Sequence, residues 1–319
     1  MNALIAKLPK HSIWIIVLFL AMTFLFIRSG FDFNYLIPKR MNRLATMIIG
    51  GICIAWSAII FQSITSNRIL TPAIMGYESV YLLFQSLLIL FMGAQSLVII
   101  GANTNFLVSI LLMLSYSWII HRFLFRNGQN DVYVLLMLGL VLTIVISTFT
   151  QFIQLKVSPG EFSILLGFSQ ASFGKAEPQQ LMISALILAF VCIVGFKHLP
   201  KLDVLSLGRD QAISLGVDYQ RTVRLYLLLI AILVAISTSL LGPTAFMGIF
   251  VANMTYALTR SFRHTMTLST GAAIAIAMFI LAQLAVEHIF NYRTTVSILV
   301  NLVCGTWFLL LMLRTRGST

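Results

Sequence analysis

Long apolar runs alternate along this chain with short polar connections. A bilayer core about 30 Å thick is crossed by about 20 apolar residues in an α-helix. Ten stretches qualify or nearly qualify, with rough limits 12 to 28, 41 to 64, 75 to 93, 96 to 124, 131 to 154, 178 to 199, 221 to 241, 244 to 260, 266 to 289 and 295 to 314. The pattern therefore predicts an all-α membrane protein, a polytopic bundle of about ten transmembrane helices that forms a single domain over residues 1–319.

Composition and charge support a lipid environment. Hydrophobic residues make up 59% of the chain and charged residues 9%, which leaves too little polar surface for soluble domains of this size. The formal charge of +12 comes from basic residues that stand singly or in pairs between apolar runs. This distribution is typical of residues that set the orientation of membrane spans, and it does not indicate a nucleic-acid partner. With both termini cytoplasmic, fourteen of the 21 Lys and Arg residues lie inside, as the positive-inside rule favours. We therefore expect a multi-pass protein of the cytoplasmic (inner) membrane.

The sequence gives no candidate for catalysis, metal binding or cofactor binding on this chain. The five histidines are scattered at the ends of the runs, whereas a membrane enzyme would need clustered His, Asp or Glu. The acids lie mostly at run ends or in loops, which counts against a proton-coupled carrier. A phosphate-binding Walker A loop is absent from the sequence, so any nucleotide site must lie on another chain.

Three segments break the alternation. Residues 155–177 contain an apolar stretch too short to cross the bilayer, which fits either a half-helix lining a cavity mouth or a plain surface helix. Residues 199–224 form the longest inside segment. They contain a short helix predicted from about Arg209 to Leu215 and capped by Gly216. This helix either docks to a soluble partner or is a solvated loop helix. Breakers in residues 242–248 indicate either backbone lining a pathway or a simple turn.

Small residues four apart occur in two of the runs. Gly51 and Ala55 lie in the second run, and Gly271 and Ala275 lie in the ninth. Such pairs let helix backbones approach closely, so we predict that they serve packing within the bundle.

From about Pro38 to Arg314 the motifs, in order, resemble those of the FecCD family of permeases, the type II ABC importers for iron-siderophores, haem and cobalamin. The first is PKRMNRLATMIIGGICIAWSAIIFQSITSNRILTPAIMGYESVY. It is similar to the family's Arg-x-Pro-Arg step, Gly-rich second helix, Gln, Asn-Pro-Leu-x-x-Pro and Leu-Gly. The matching positions are Arg40, Arg43, Gln62, Asn67, Pro72 and Gly76, whereas Asn42 and Arg68 replace prolines.

Two further motifs extend the resemblance. LSLGRDQAISLGV is close to the family's Leu-Gly-x-x-x-Ala-x-x-Leu-Gly-Val, and GPTAFMGIFVANMTYAL is similar to Gly-Pro-x-x-Phe-x-Gly-x-x-x-Pro-His. In the latter, Ala252 and Asn253 stand where the family usually has Pro-His. The last run follows the family's closing helix loosely. By resemblance, these departures favour the siderophore branch, particularly catecholate or mixed catecholate siderophores.

The resemblance implies a permease subunit that performs no covalent chemistry and translocates ferric siderophore. Haem or another metal chelate within the same family, or a hydrophobic solute carried by a secondary transporter, are the alternatives. It implies as partners a second permease chain, identical or similar, two ABC ATPase subunits that carry the ATP, and an outside substrate-binding protein.

The resemblance also assigns residues. The coupling segment that would enter a groove of the ATPase comprises Leu207, Gly208, Arg209, Asp210, Gln211, Ala212, Leu215 and Gly216. Docking of the binding protein would involve Arg40, Arg43 and Arg293, although these arginines also suit anchoring at the lipid headgroups. The gate and pathway would involve Asn67, Ile69, Gly242, Pro243, Phe246 and Gly248.

Overall fold

Helices account for all the regular structure in the described part of the chain. The computed structural model describes residues 12–28, 32–124, 132–244, 246–259 and 261–316, and the predicted cytoplasmic termini fall largely outside them, at 1–11 and 317–319. The helices are α1 Ser12–Phe26, α2 Leu36–Thr65, α3 Tyr77–Met92, α4 Ser96–Ile100, α5 Ala102–Leu124, α6 Val132–Gln154, α7 Pro159–Ser169, α8 Pro178–Leu205, α9 Arg209–Ser214, α10 Tyr219–Leu241, α11 Met247–Leu258, α12 His264–His288 and α13 Val296–Arg316. Short 3₁₀ turns, Pro72–Met75 and Gly93–Gln95, precede α3 and α4.

Each of the ten predicted runs contains an apolar helix. Among the described residues, seven helices are long and apolar enough to cross a membrane, namely α2, α3 with its extension to Gln95, α5, α6, α8, α10 and α12. Helices α1 and α11 are apolar but shorter, and α13 is apolar over its part from Val296 to Leu310. The prediction of a polytopic all-α membrane protein is therefore confirmed.

The stretch 244 to 260, predicted as a span, differs from that prediction. Helix α11 has 12 residues, so at 1.5 Å per residue it is about 18 Å long. That is roughly half of the 30 Å apolar core. The Gly-Pro step at Gly242 and Pro243 delays the start of the helix, so this is a broken span whose helix begins only at Met247.

Helix α2 is the centre of the bundle, with 78% of its most apolar window buried. Its small residues allow close contact with α12, as predicted. A Cβ added to Gly51 would lie 3.2 Å from the backbone nitrogen of Ile276, and one added to Gly271 would lie 3.7 Å from the Cβ of Ala55. These glycines therefore set the approach of the two backbones, the usual role of small residues between membrane helices.

Helices α2 and α12 run antiparallel and define the two ends of the bundle. Arg43, near the start of α2, contacts Glu287 at the end of α12. Ser63, near the end of α2, contacts His264 at the start of α12. We call these the Arg43 end and the His264 end. Residues 199–224 lie at the His264 end, because Asp203 also contacts His264.

Helix α10 ends inside the bundle, short of the Arg43 end. It starts at the His264 end, and a Cβ added to Gly50, midway along α2, would clash with the Leu241 side chain at the end of α10. The segment between α7 and α8 reaches in from the Arg43 end to meet it, since Ser172 donates a backbone hydrogen bond of 2.9 Å to the Leu241 carbonyl. The break between α10 and α11 therefore lies at mid-depth.

Candidate transport and coupling sites

The predicted coupling segment is a short helix held between two glycines at the His264 end. Helix α9, Arg209–Ser214, agrees closely with the predicted limits. Gly208 has φ +105° and Gly216 has φ +78°, backbone conformations that favour glycine. These two residues let the chain leave α8 and turn towards α10.

Helix α9 presents apolar side chains on its outer surface. Ala212 is fully buried against the bundle, whereas Ile213 is 52% and Leu215 is 62% exposed. Leu207, just before the helix, is also exposed, as are the polar Arg209, Asp210 and Gln211. A helix that is merely solvated has no need of such exposed apolar side chains, which are typical of interaction surfaces.

A polar link joins the chain just before α9 to the two central helices. The Asp203 carboxylate lies 2.5 Å from Nδ1 of His264 and accepts the His264 backbone N–H at 2.9 Å. On its other side, Nε2 of His264 lies 2.8 Å from the Ser63 hydroxyl. Sequence reasoning missed this link, because it treated the histidines as scattered. These three side chains connect the end of α8 to α12 and α2.

The predicted inside gate lies at the end of α2 and is tied to α11. The Asn67 side chain accepts the Ile69 backbone N–H at 2.9 Å, which shapes an exposed turn. The Asn253 side chain donates to the Arg68 carbonyl at 2.9 Å. The Arg68 guanidinium lies 5.1 Å from the centre of the Tyr256 ring, also on α11. Arg68 and Asn253, the two residues that differ from the family pattern here, are therefore in contact.

Gly242 lies where backbones approach closely at the break between α10 and α11. It has φ +95°, and a Cβ there would lie 3.1 Å from the Gln170 carbonyl oxygen. Pro243 follows it, and Phe246 at the start of α11 is exposed. The structure thus favours buried backbone at mid-depth over a simple surface turn.

Gly248 makes the corresponding close approach in the first turn of α11. A Cβ on Gly248 would lie 3.1 Å from that of Ala58 on α2. The backbone N–H of Thr244, which the break leaves outside any helix, donates to Oε1 of Glu78 at 3.1 Å. These contacts fix the broken segment against α2 and α3.

Glu78 borders a small polar cavity beside the break. The cavity measures about 30 Å³ and is bordered by Ser57, Thr71, Ser237 and Thr244 among others. This space suits about one water molecule, and the surrounding hydroxyls could bind it. The sequence signal for Glu78 was an acid two residues after Gly76 within an apolar run, and our reading of the acids as end-of-span residues missed it.

A larger cavity lies under α7, between α3, α5, α8 and α10. Its volume is about 430 Å³, and Ile164, Gly167 and Phe168 of α7 line one side, as predicted for a half-helix at a cavity mouth. Gln85 and Asn105 form a buried hydrogen-bonded amide pair, of which Asn105 reaches the cavity wall.

At the mouth of this cavity, the Lys175 ammonium donates to the carbonyls of Gly167 and Gln170, and desolvation lowers its pKa to about 8.

The predicted docking arginines have internal partners at the Arg43 end. Arg43 lies 3.0 Å and Arg40 lies 3.7 Å from the carboxylate of Glu287, whose side chain is only 4% exposed. Arg40 also donates to the carbonyls of Phe24 and Ile27, at 2.8 and 2.6 Å, and so caps the end of α1. Arg293 is exposed. Contact with a binding protein stays a prediction for all three arginines.

These features define a class of protein, and comparison with known proteins defines the family. A helical membrane bundle with a broken span and backbone hydrogen bonds satisfied at mid-depth is typical of transport proteins. The chain belongs to the FecCD transport family, whose model matches residues 6–314. The predicted family and the prediction of a transport component rather than an enzyme are therefore confirmed.

Curated relatives and a solved structure cover nearly the whole chain. The petrobactin import system permease protein YclO of Bacillus subtilis is 34% identical over 92% of this chain and 93% of its own length. The corresponding protein FatC of Bacillus anthracis is 32% identical over 90% of this chain and 81% of its own. A chain described as a metal-chelate type ABC transporter in an inward-facing conformation matches with a TM-score of 0.83 at 19% identity, over 98% of this chain and 99% of that one.

Proposed function

We propose that this chain is the permease subunit of an ATP-driven importer that moves a ferric siderophore across the cytoplasmic membrane. The observation that carries the proposal is the FecCD match together with similarity to two petrobactin permeases over about nine-tenths of the chain. The resemblance of the motifs to the siderophore branch of the family supports a catecholate-type ferric chelate as the proposed substrate class. The iron is cargo, and ATP is bound by a partner chain.

The proposed assembly contains a second permease chain, two ATPases and a substrate-binding protein. Helices α6 and α13 both carry exposed large apolar side chains, such as Met137 and Val141 on α6 and Leu302 and Leu309 on α13. These side chains need a covering of lipid or of a second permease chain. We place the His264 end in the cytoplasm and the Arg43 end outside. The excess of Lys and Arg in the segments on the cytoplasmic side supports this orientation.

In the proposed mechanism, closure of the ATPases moves α9 and thereby switches the bundle between two arrangements. The exposed Ile213 and Leu215 supply the apolar contact with the ATPase, and Ala212 holds the helix to the bundle. The link from Asp203 through His264 to Ser63 carries the movement to α2 and α12. The turn at Asn67 and Ile69, at the end of α2, is then in a position to open and close the inside gate.

Docking of the binding protein is proposed at the Arg43 end, with Arg293 as the freely exposed charge. Because Arg40 and Arg43 also hold Glu287, replacing them changes the bundle as well as the outer surface. Arg293→Glu separates the two effects. It should slow docking, as rim charges mainly set orientation and encounter rate, while leaving thermal unfolding unchanged.

Uptake of a radiolabelled ferric catecholate siderophore into reconstituted vesicles tests the proposal. Uptake should require the ATPase, the binding protein and hydrolysable ATP. A matched control replaces ATP by a non-hydrolysable analogue. Equal uptake driven by a proton gradient, without ATP or ATPase, would overturn the proposal in favour of a secondary transporter. Uptake of haem with no uptake of siderophore would move the chain to another branch of the family.

A further inference from the structure

A groove with a cationic lining opens at the His264 end, between the last turns of α8 and the first turns of α10. Its volume is about 630 Å³. The lining includes His198, Lys201, Arg221, Arg224, Leu225 and Leu228. We call it the cationic groove.

The packing of the two helices explains why the groove exists. The Tyr226 hydroxyl donates to the Gly195 carbonyl at 3.4 Å, and a Cβ on Gly195 would lie 3.9 Å from the Leu229 side chain. The helices α8 and α10 are therefore in contact at the level of Gly195. Nearer the end of the bundle, the facing positions carry longer side chains, and a gap remains between the helices.

The charges in the groove favour an anion. Lys201 comes from α8 and Arg221 from α10, and both side chains are exposed. Within the part of the chain that the structure describes, Lys201 and Arg221 form no ion pair with another residue. The one acid in the lining, Asp218, accepts the Arg221 backbone N–H at 3.0 Å and so caps α10.

The floor of the groove is apolar and reaches the outer surface of the bundle. Leu225 and Leu228 lie two to three turns inside α10, and Leu228 is 52% exposed. A ligand that fills the groove would therefore meet positive charge at the end of the helices and apolar side chains deeper in the membrane. That order matches a phospholipid, with its headgroup at the surface and its acyl chain inside.

We propose that the cationic groove binds the phosphate headgroup of an anionic phospholipid of the cytoplasmic leaflet, of the phosphatidylglycerol or cardiolipin class. Lys201 and Arg221 contact the phosphate from the two sides, and an acyl chain lies over Leu228. Lys and Arg are common at the cytoplasmic ends of spans as topology signals. A topology signal alone, however, requires neither a cavity nor charges that converge from two helices. The leaflet follows from the orientation in the proposed function.

Native mass spectrometry of the purified full-length chain tests the site, with phosphatidylglycerol and phosphatidylcholine of identical acyl chains as probes. Phosphatidylglycerol should bind more tightly, and its affinity should fall as salt is added.

Lys201→Ala and Arg221→Ala should each weaken phosphatidylglycerol binding about 5-fold, because each removes one basic residue near the membrane surface, and the double variant should weaken it about 25-fold. Lys201→Arg should keep the affinity within about 2-fold. Arg263→Gln, an exposed cation at the same end outside the groove, is the matched control and should change nothing.

Four results would overturn the proposal. The first is equal affinity for the two lipids, and the second is unchanged binding by a folded double variant. The third is displacement of the lipid by an equal concentration of inorganic phosphate, which would indicate a site for free anions. The fourth is displacement by the partner ATPase, which would assign the groove to that interface. The measurement uses neither ATP nor siderophore, so its failure is distinguishable from failure of the proposed importer function.

Discussion

Glu78 in the first turn of α3 accepts the backbone N–H of Thr244 at 3.1 Å, across the break between α10 and α11. The two residues are 166 positions apart, and their contact lies beside a polar cavity of about 30 Å³. A backbone N–H freed by a broken helix at mid-membrane depth needs an internal acceptor. Glu78 supplies it and so fixes the start of the half-helix.

The loss of stability on replacing Glu78 should depend on whether the new side chain keeps a hydrogen-bond acceptor. Glu78→Ala leaves the Thr244 N–H without its partner, and we expect a loss of about 1–3 kcal/mol in the free energy of unfolding. Glu78→Gln keeps a carbonyl oxygen as acceptor and should lose less. Thermal unfolding of the purified protein in detergent compares the two variants. Equal midpoints for Glu78→Ala and the wild type would contradict this role.

Removing Arg43 should cost stability because it leaves the charge of Glu287 poorly paired. The Glu287 side chain is 4% exposed, and Arg40 then remains at 3.7 Å. Because Arg40 and the Gln283 amide, which donates to Glu287 at 2.6 Å, still contact the carboxylate, we expect a loss of about 1.5–3 kcal/mol, the range for a hydrogen bond to a charged group. The double variant Arg43→Met with Glu287→Gln should recover part of that loss, since it leaves no buried carboxylate, while Arg40 keeps its carbonyl partners at Phe24 and Ile27. If the single and double variants unfold at the same temperature, the pair does not stabilise the Arg43 end.

Polar substitutions on the outer surface of α9 should weaken retention of the ATPase without unfolding the permease. Burial of an Ile or Leu side chain is worth about 1.5–3 kcal/mol, so Ile213→Asp or Leu215→Asp should lower the affinity about 10- to 100-fold. Their thermal midpoints should stay near the wild type, because both side chains are exposed. Phe262→Asp, at an exposed apolar residue of the same end outside α9, is the control. Full ATPase retention by both α9 variants would contradict the coupling assignment.

Lys175 should titrate near pH 8. Desolvation at the cavity mouth lowers its pKa from 10.5 to about 8. Below pH 8 the folded and unfolded states both carry the charge, and the folded state bears the cost of desolvating it. Between pH 8 and 10.5 only the unfolded state keeps its proton, so this group makes stability rise with pH there. Reductive methylation followed by NMR measures the titration, and Lys175→Gln should remove it. A midpoint near 10.5 would contradict the partial burial.

The sequence predicted the bundle well because apolar run length and single breakers are local signals. Gly216 ends the coupling segment, and the glycines of α2 and α12 meet as their spacing indicated. The partners of Arg43 and His264 could not be predicted, because Glu287 and Asp203 are distant along the chain and the contacts depend on helix packing. The stretch predicted from 244 to 260 is helical only from Met247 to Leu258, because hydropathy reports polarity and not helix length, and the breakers Gly242, Pro243 and Gly248 were the local sign of the interruption.

The central claim is that α9 lies in the cytoplasm and touches the ATPase, and site-directed thiol labelling tests it most directly. Ile213→Cys and Tyr292→Cys place exposed thiols at the two ends of the bundle. Both are made in a Cys192→Ser background, which gives the baseline, because Cys192 is partly exposed whereas Cys53 and Cys304 are buried. A membrane-impermeant maleimide should label Cys at 213 only in inside-out vesicles and Cys at 292 only in right-side-out vesicles. Binding of the ATPase should protect position 213 alone. Labelling of position 213 from the outside, or no protection by the ATPase, would contradict the account.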